Sequence, residues 1–216
     1  MDRGRWFTDP AFEFAARTAV GHAAAGNLDI GPVLAVFDRI ADGVPQSWYE
    51  QWFALGEHCT ASAERAEKSG NGRTAGWFWL GASESFDNAI AFADGLEDPE
   101  EVIATTFARQ QDAFECFADA AGGFHVRVEI PYRDGVLPGY LLRPDASGLP
   151  RATVIVTNGS DGSLASLWAT IAHAALDRDL NVVVFDGPGQ QRMLFQRGVP
   201  DAVAARSLRA GGQRRP

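Results

Sequence analysis

The sequence predicts an α/β chain in which an all-helical N-terminal part precedes a β-hairpin and a parallel strand–helix–strand unit. Three observations carry this reading. Residues 9–120 place apolar side chains at helical spacing throughout. From Gly122-Gly123 the period switches to alternation, with Phe124, Val126, Val128 and Ile130 separated by His125, Arg127 and Glu129. Further on, Ala152 to Thr157 and Leu180 to Phe185 form short Val- and Ile-rich runs around a stretch in which Leu164, Leu167, Trp168, Ile171, Ala175 and Leu176 recur at helical spacing. That pattern suits strands buried on both faces of a parallel sheet and joined by a right-handed crossover.

The helices are bounded by their punctuation. Asp9-Pro10 places a capping carboxylate before a proline at the first helical position, and the helix so opened runs to Gly26. A second spans Asp29 to Ile40, stopped by Gly43 and Pro45. Ser47 is expected to cap a long helix reaching Ser69, with Trp48, Trp52, Leu55, Cys59 and Ala63 along one stripe. After Gly70-Asn71-Gly72 a fourth runs from Arg73 to Ala93, and Asp98-Pro99 opens a last one ending at Gly122. The pair over 47–94 resembles a tetratricopeptide unit, yet no second copy follows, and such units need stacking to be stable. The Trp and Phe stripe is expected to be packing between helices.

Strands follow. Phe124 to Ile130 and Val136 to Arg143, joined through Arg133-Asp134-Gly135, make the hairpin. The two buried strands then end in Asn158-Gly159-Ser160-Asp161-Gly162-Ser163 and Asp186-Gly187-Pro188-Gly189-Gln190. Ligands of open parallel sheets bind at that carboxyl edge. The first turn also sets backbone N–H groups ahead of a helix, where they can face an anion or a developing oxyanion. Neither a dinucleotide-binding Gly-rich motif nor a phosphate-binding loop is present.

The order hairpin, strand ending in NGSDGS, helix, strand ending in FDGPGQ resembles the first half of an α/β-hydrolase fold. More narrowly, it is similar to the branch with an all-helical N-terminal domain that includes the 2,6-dihydroxypseudooxynicotine hydrolase type and related esterases. The likeness runs from residue 45 to residue 200. It implies the first four strands of that fold, with residues 1–122 as a helical, cap-like domain and 123–200 as the N-terminal half of the hydrolase domain; residues 201–216 read by composition as a disordered or out-of-frame tail. It also implies a serine hydrolase acting on an ester, amide or carbon–carbon bond of a small molecule, without a cofactor. In that family the turn after the third strand supplies one oxyanion N–H and the residue after the nucleophile the other. Ser160 and Asp161, with Gly159, are then the oxyanion-hole candidates. Asp186 is a candidate lining carboxylate, though an Asx turn before Gly-Pro-Gly is the stronger reading, and Asp161 is divided between capping the next helix and lining the site.

The catalytic triad has no candidate. Gly81-Ala82-Ser83-Glu84-Ser85 comes nearest to a Gly-X-Ser-X-Gly elbow, but its fifth residue is Ser and it lies mid-helix. His22, His58 and His173 fall in helix patterns and His125 on the outward parity of a strand, so all four are expected at surface or satisfied positions. The tail, with four Arg against one Asp, reads as foreign to the fold. The expectation is a hydrolase truncated before its nucleophile and inactive alone, with the Leu180 to Phe185 strand left as an open, aggregation-prone edge. The alternative is a non-catalytic, tetratricopeptide-like interaction module.

Composition narrows the class further. A formal charge of −9, from 19 Lys and Arg against 28 Asp and Glu, argues against nucleic-acid binding, which needs a basic face. The start of the chain lacks the apolar run of a signal peptide and no stretch is long enough to span a bilayer, so no membrane partner and a cytoplasmic location are expected. Cys59 and Cys116 are isolated thiols that suit a reducing compartment, and no histidine pair has metal-ligand spacing. A small-molecule substrate is the expected partner of the full-length form, with a homodimer left open.

Overall fold

A computed structural model describes residues 4–133, 135–159 and 162–196. Ser160, Asp161 and the expected tail 201–216 lie outside the described residues. The first half is helical: α1 (Pro10–Ala24), α2 (Ile30–Phe37), α3 (Pro45–Lys68), α4 (Gly72–Ala89), a 3₁₀ turn (Ile90–Gly95) and α5 (Pro99–Ala120). Asp9 caps α1 as its position requires, its Oδ1 accepting the N–H groups of Ala11 and Phe12 at 2.8 and 2.9 Å. Ser47 does not cap α3. That helix starts two residues earlier, at Pro45, whose fixed φ suits a first helical position, and the Ser47 hydroxyl instead accepts the Ala41 N–H of the preceding turn.

The Trp and Phe stripe is core. Trp48 and Trp52 are fully buried, and Trp48 sits among Phe7, Phe12 and Phe92 at centroid distances of 4.8 to 5.8 Å, with its indole N–H donating to the Asn88 carbonyl at 2.7 Å. Rings at this spacing combine large apolar burial with favourable edge-to-face geometry. This core continues without a break through α4 and α5 into the sheet residues Tyr140, Leu142, Val182 and Val184.

Four strands form one sheet: β1 (His125–Tyr132), β2 (Gly135–Leu142), β3 (Thr153–Thr157) and β4 (Asn181–Phe185). Their spatial order is β1-β2-β4-β3, with β1 and β4 antiparallel to β2 and β3 parallel to β4. The expected open edge is therefore corrected. β4 lies inside, with Val182 and Val184 fully buried, and β3 is the outer strand. β4 can approach β2 closely because Gly139 faces it. A Cβ there would lie 2.5 Å from the Val184 carbonyl oxygen, well inside contact distance.

The crossover is α6 (Leu164–Leu167), a π-helical turn (Trp168–Ala172) and α7 (His173–Leu176), and a short α8 (Gln191–Phe195) follows β4. The wide turn alters the helical register, so Ile171, expected on the apolar face, is exposed. β3 also departs from expectation. Only Val156 of its five residues is buried, and Ile155 is 70% exposed, because the crossover covers one face of this strand and no described residue covers the other. His125 departs in the opposite sense. It is buried among Phe117, Phe124 and Trp168 at the end of the hairpin, where packing of α5 and the crossover overrides strand parity.

The β3 surface yields a testable consequence. Exposed apolar outer strands are templates for self-pairing, and charge blunts them. Ile155→Lys is expected to lower self-association in sedimentation velocity while changing stability by no more than about 0.5 kcal/mol, as for other surface substitutions. Unchanged association would show that β3 is not the sticky surface.

Candidate active site

β3 and β4 run parallel and in register, Thr157 opposite Phe185, so both polar turns emerge side by side at the carboxyl edge. Asn158 organises the first. Its Nδ2 donates to the Ser163 carbonyl at 2.7 Å and its Oδ1 accepts the Gly159 N–H at 3.1 Å. Gly162 lies so close to this side chain that a Cβ on it would stand 2.1 Å from Asn158 Oδ1. Ser163 then caps the crossover helix, its Oγ accepting the Ser166 N–H at 3.1 Å.

Gln190 joins the two turns. Its Oε1 accepts the Gly187 N–H at 2.7 Å, and its Nε2 donates to the carbonyls of Asn158 and, at 3.0 Å, Gly159. The last residue of Asp-Gly-Pro-Gly-Gln is thus a bridge, which gives that motif a physical reason. Of the oxyanion candidates, Gly159 is exposed at the edge, while Ser160 and Asp161 lie outside the described residues.

Asp186 is fully buried and does not form an Asx turn. Its Oδ2 accepts the Arg192 N–H at 3.4 Å from α8 instead of a neighbouring turn amide, and its Oδ1 has no partner among the described residues. Burial pushes its carboxyl up to about 6, against the smaller opposing effects of the Arg192 N–H and guanidinium. α8 begins at Gln191, and its Arg192 N–H reaches back to this inward-facing carboxyl.

A second set of groups reaches the same edge from the helical half, and sequence reasoning missed it. Glu84 on α4 is 1% exposed. It pairs with His22 Nδ1 at 2.6 Å and accepts from Asn27 and Asn88 at 3.1 and 3.2 Å. Asn27 also donates to the Ala165 carbonyl at 2.8 Å, tying the α1–α2 connection to the start of the crossover. Burial opposes the charge on His22, but the Glu84 carboxylate outweighs it and raises the imidazole. One turn along α4, Asp87 Oδ1 accepts from Gln110 of α5 at 3.1 Å and Gln191 of α8 at 3.2 Å. Its carboxyl is pushed up to about 7, by burial first and the Glu84 charge second, against hydrogen bonding from Ser163 and Gln191 and the charge of His22.

The signal for this cluster was present. Arg73, Glu84 and Asp87 are the only charged residues of α4, most of whose residues are buried, and two carboxylates one turn apart on such a helix mark a polar interior. The Ser83 to Ser85 segment lies inside α4 with both serines buried, so it forms no elbow. His173 is satisfied by the Trp168 carbonyl at 3.0 Å. Cys59 and Cys116 are free thiols. Among the described residues no His, Cys, Asp or Glu cluster could hold a metal ion, and no helix is long and apolar enough to cross a membrane.

A groove of about 630 Å³ lies at the opposite end of the sheet, lined by Trp77, Leu80, Phe117, His125 and Trp168 among others. Burial holds His125 there down to about 4. None of the polar groups of the carboxyl edge lines it.

No family model matches the chain. It is 34% identical over 188 residues to a hydrolase of a Fusarium species, covering 85% of this chain and 45% of that protein. It is 30% identical over 207 residues to a 20-hydroxy-prefusarin hydrolase of Gibberella moniliformis, covering 94% and 48%, and 28% identical over 193 residues to an α/β-hydrolase of an Acremonium species, covering 88% and 45%. The chain therefore spans about half the length of the curated relatives it matches. Among solved structures, a 2,6-dihydroxy-pseudo-oxynicotine hydrolase superposes with a TM-score of 0.66 at 21% identity, over 81% of this chain and 47% of that one. The agreement between these relatives and a helical half leading into a β1-β2-β4-β3 sheet with bridged carboxyl-edge turns identifies the chain as a member of the α/β-hydrolase superfamily.

Proposed function

We propose that this chain forms the helical and oxyanion side of a hydrolase that cleaves an ester, amide or carbon–carbon bond of a small molecule, and that it is silent without the other half of the fold. The observation that carries this is the bridged pair of turns. Asn158, Gln190 and Ser163 tie down the described ends of the β3 turn, Gly159 and Ser163, at a sheet edge, as a preorganised donor for a developing oxyanion requires. The Gly159 N–H is taken by Asn158 Oδ1, so a backbone N–H of Ser160 or Asp161 then stabilises the charge on the substrate oxygen, and the residue after the nucleophile supplies the second donor. No nucleophile, acid or base of a triad is assigned among the described residues. A cytoplasmic setting is part of the same reading, favoured by the two free cysteines.

The test has two arms. The purified 216-residue chain is expected to release no p-nitrophenol from p-nitrophenyl butyrate above buffer, and turnover that survives repurification and is lost on denaturation would refute silence. A chimera joining residues 1–196 to the remaining half of the Fusarium hydrolase is expected to turn over. Proline placed in turn at 159, 160 and 161 should then lower kcat by about 10²–10³-fold at the donating position. Three equal, small effects would remove the oxyanion assignment.

A further inference from the structure

We propose that Asp87 is a positioning residue of this site, a clasp from the helical half that holds both carboxyl-edge turns in their working arrangement. The inference rests on the hydrolase reading for its functional meaning, while the clasp itself rests on geometry. Two amide donors from separate elements converge on one oxygen of this carboxyl, Gln110 of α5 at 3.1 Å and Gln191 of α8 at 3.2 Å, and the Ser163 side chain of the β3 turn favours its ionised form. Ser163 and Gln191 are connected onward. Ser163 Oγ accepts from Ser166 while its carbonyl holds Asn158, whose Oδ1 in turn holds the Gly159 N–H. Gln191 follows Gln190 directly, and Gln190 grips Gly159 and Gly187. Both routes from Asp87 end at Gly159.

A carboxyl is an expensive way to fill this position if packing is all it does. The charged groups facing Asp87 are Glu84 on its own helix and His22 on α1, and His22 is already engaged with Glu84 at 2.6 Å. The groups that bond to it from α5, α8 and the turn are uncharged. Asp87 therefore exchanges its proton in the neutral range, and the exchange alters how many donors it can accept. Ionised, it accepts both amides in charge-assisted bonds. Protonated, it loses that charge and both bonds weaken.

The experiment is an amide NMR titration of the 216-residue chain from pH 5 to 8.5, beside Asp87→Asn. In the wild type the Gly159, Ser163 and Gly187 amides are expected to shift together with a common midpoint near 7, and in Asp87→Asn that shared transition should vanish, leaving only the response to His22. Amides that do not titrate, or titrate identically in the variant, overturn the clasp. Should Asp87→Asn fold poorly, Gln191→Leu serves instead. It removes a hydrogen bond that favours the ionised form, so the midpoint must rise, and an unmoved midpoint also overturns the proposal. The proline scan of the chimera reports separately on the oxyanion assignment: coupled amides with no kcat loss leave the clasp and refute that assignment, and the converse pattern refutes the clasp alone.

Discussion

Glu84→Ala is expected to destabilise the chain by about 3–5 kcal/mol, the cost typical of removing one partner of a buried ion pair. Glu84 is 1% exposed and is the shared acceptor for His22, Asn27 and Asn88. Alanine leaves the two amides without that acceptor and the imidazole without its counter-charge. With Glu84 gone, burial, the largest influence on His22, is opposed only by the Asp87 charge, so the loss should be larger at pH 5, where the imidazole must remain charged or give up its proton, than at pH 8. Glu84→Gln preserves the shape and one acceptor and is expected to cost less than alanine at both values. Urea denaturation at pH 5 and 8 measures this, with Glu50→Ala, in an exposed contact with Gln46, as the control expected within about 0.5 kcal/mol. A Glu84→Ala loss no greater than the control's would show that the buried pair carries no net stability. Because Asn27 also holds Ala165, the variant should further increase amide exchange around Ser166 at the start of the crossover.

The elements legible in the sequence were those specified locally. Asp9-Pro10 fixes the start of α1, and the switch from helical to alternating period at Gly122-Gly123 marks the hairpin. The Asp186-to-Gln190 motif stood out, although its reason, the Gln190 bridge to Gly159, spans 31 residues and has no local signature. Strand order was not legible for the same kind of reason. β3 and β4 carry almost interchangeable apolar runs, and only the Gly139 gap in β2 and the cover over Val182 and Val184 place β4 inside. His125 followed strand parity on paper, and its burial depends on Trp168, 43 positions further along the chain by the numbering. Asp186 was weighed as a turn former because Asp before Gly-Pro-Gly usually is one. Its inward direction comes from the placement of α8. Glu84 was the avoidable omission, since an acid in so apolar a helix has to find partners inside.

Between pH 5 and 6 the stability of the wild type is expected to fall as pH rises, and in the double variant Asp87→Asn, Asp186→Asn the slope should reverse. Asp87 and Asp186 are raised from 3.8 to about 7 and about 6 in the folded chain. A group raised on folding contributes stability that is complete below its unfolded value and is lost as pH climbs through its folded value. Both carboxyls therefore lose stability across this window. His125 is lowered from 6.5 to about 4, so its contribution is complete above 6.5 and is lost as pH falls, which makes its slope positive over the same interval. His22 is raised and binds its proton in both states below its unfolded value of 6.5, so it contributes little here. Two falling terms against one rising term leave a net decrease on the order of 1 kcal/mol per pH unit in the wild type. Removing the two carboxyls leaves His125, and an increase of similar size. Adding His125→Phe, which keeps an aromatic ring beside Phe117 and Trp168, should flatten the curve. Urea midpoints at several pH values, with unchanged m-values, give each slope. A double variant that still loses stability from pH 5 to 6 would show that the carboxyls of Asp87 and Asp186 are not what makes folding pH-dependent.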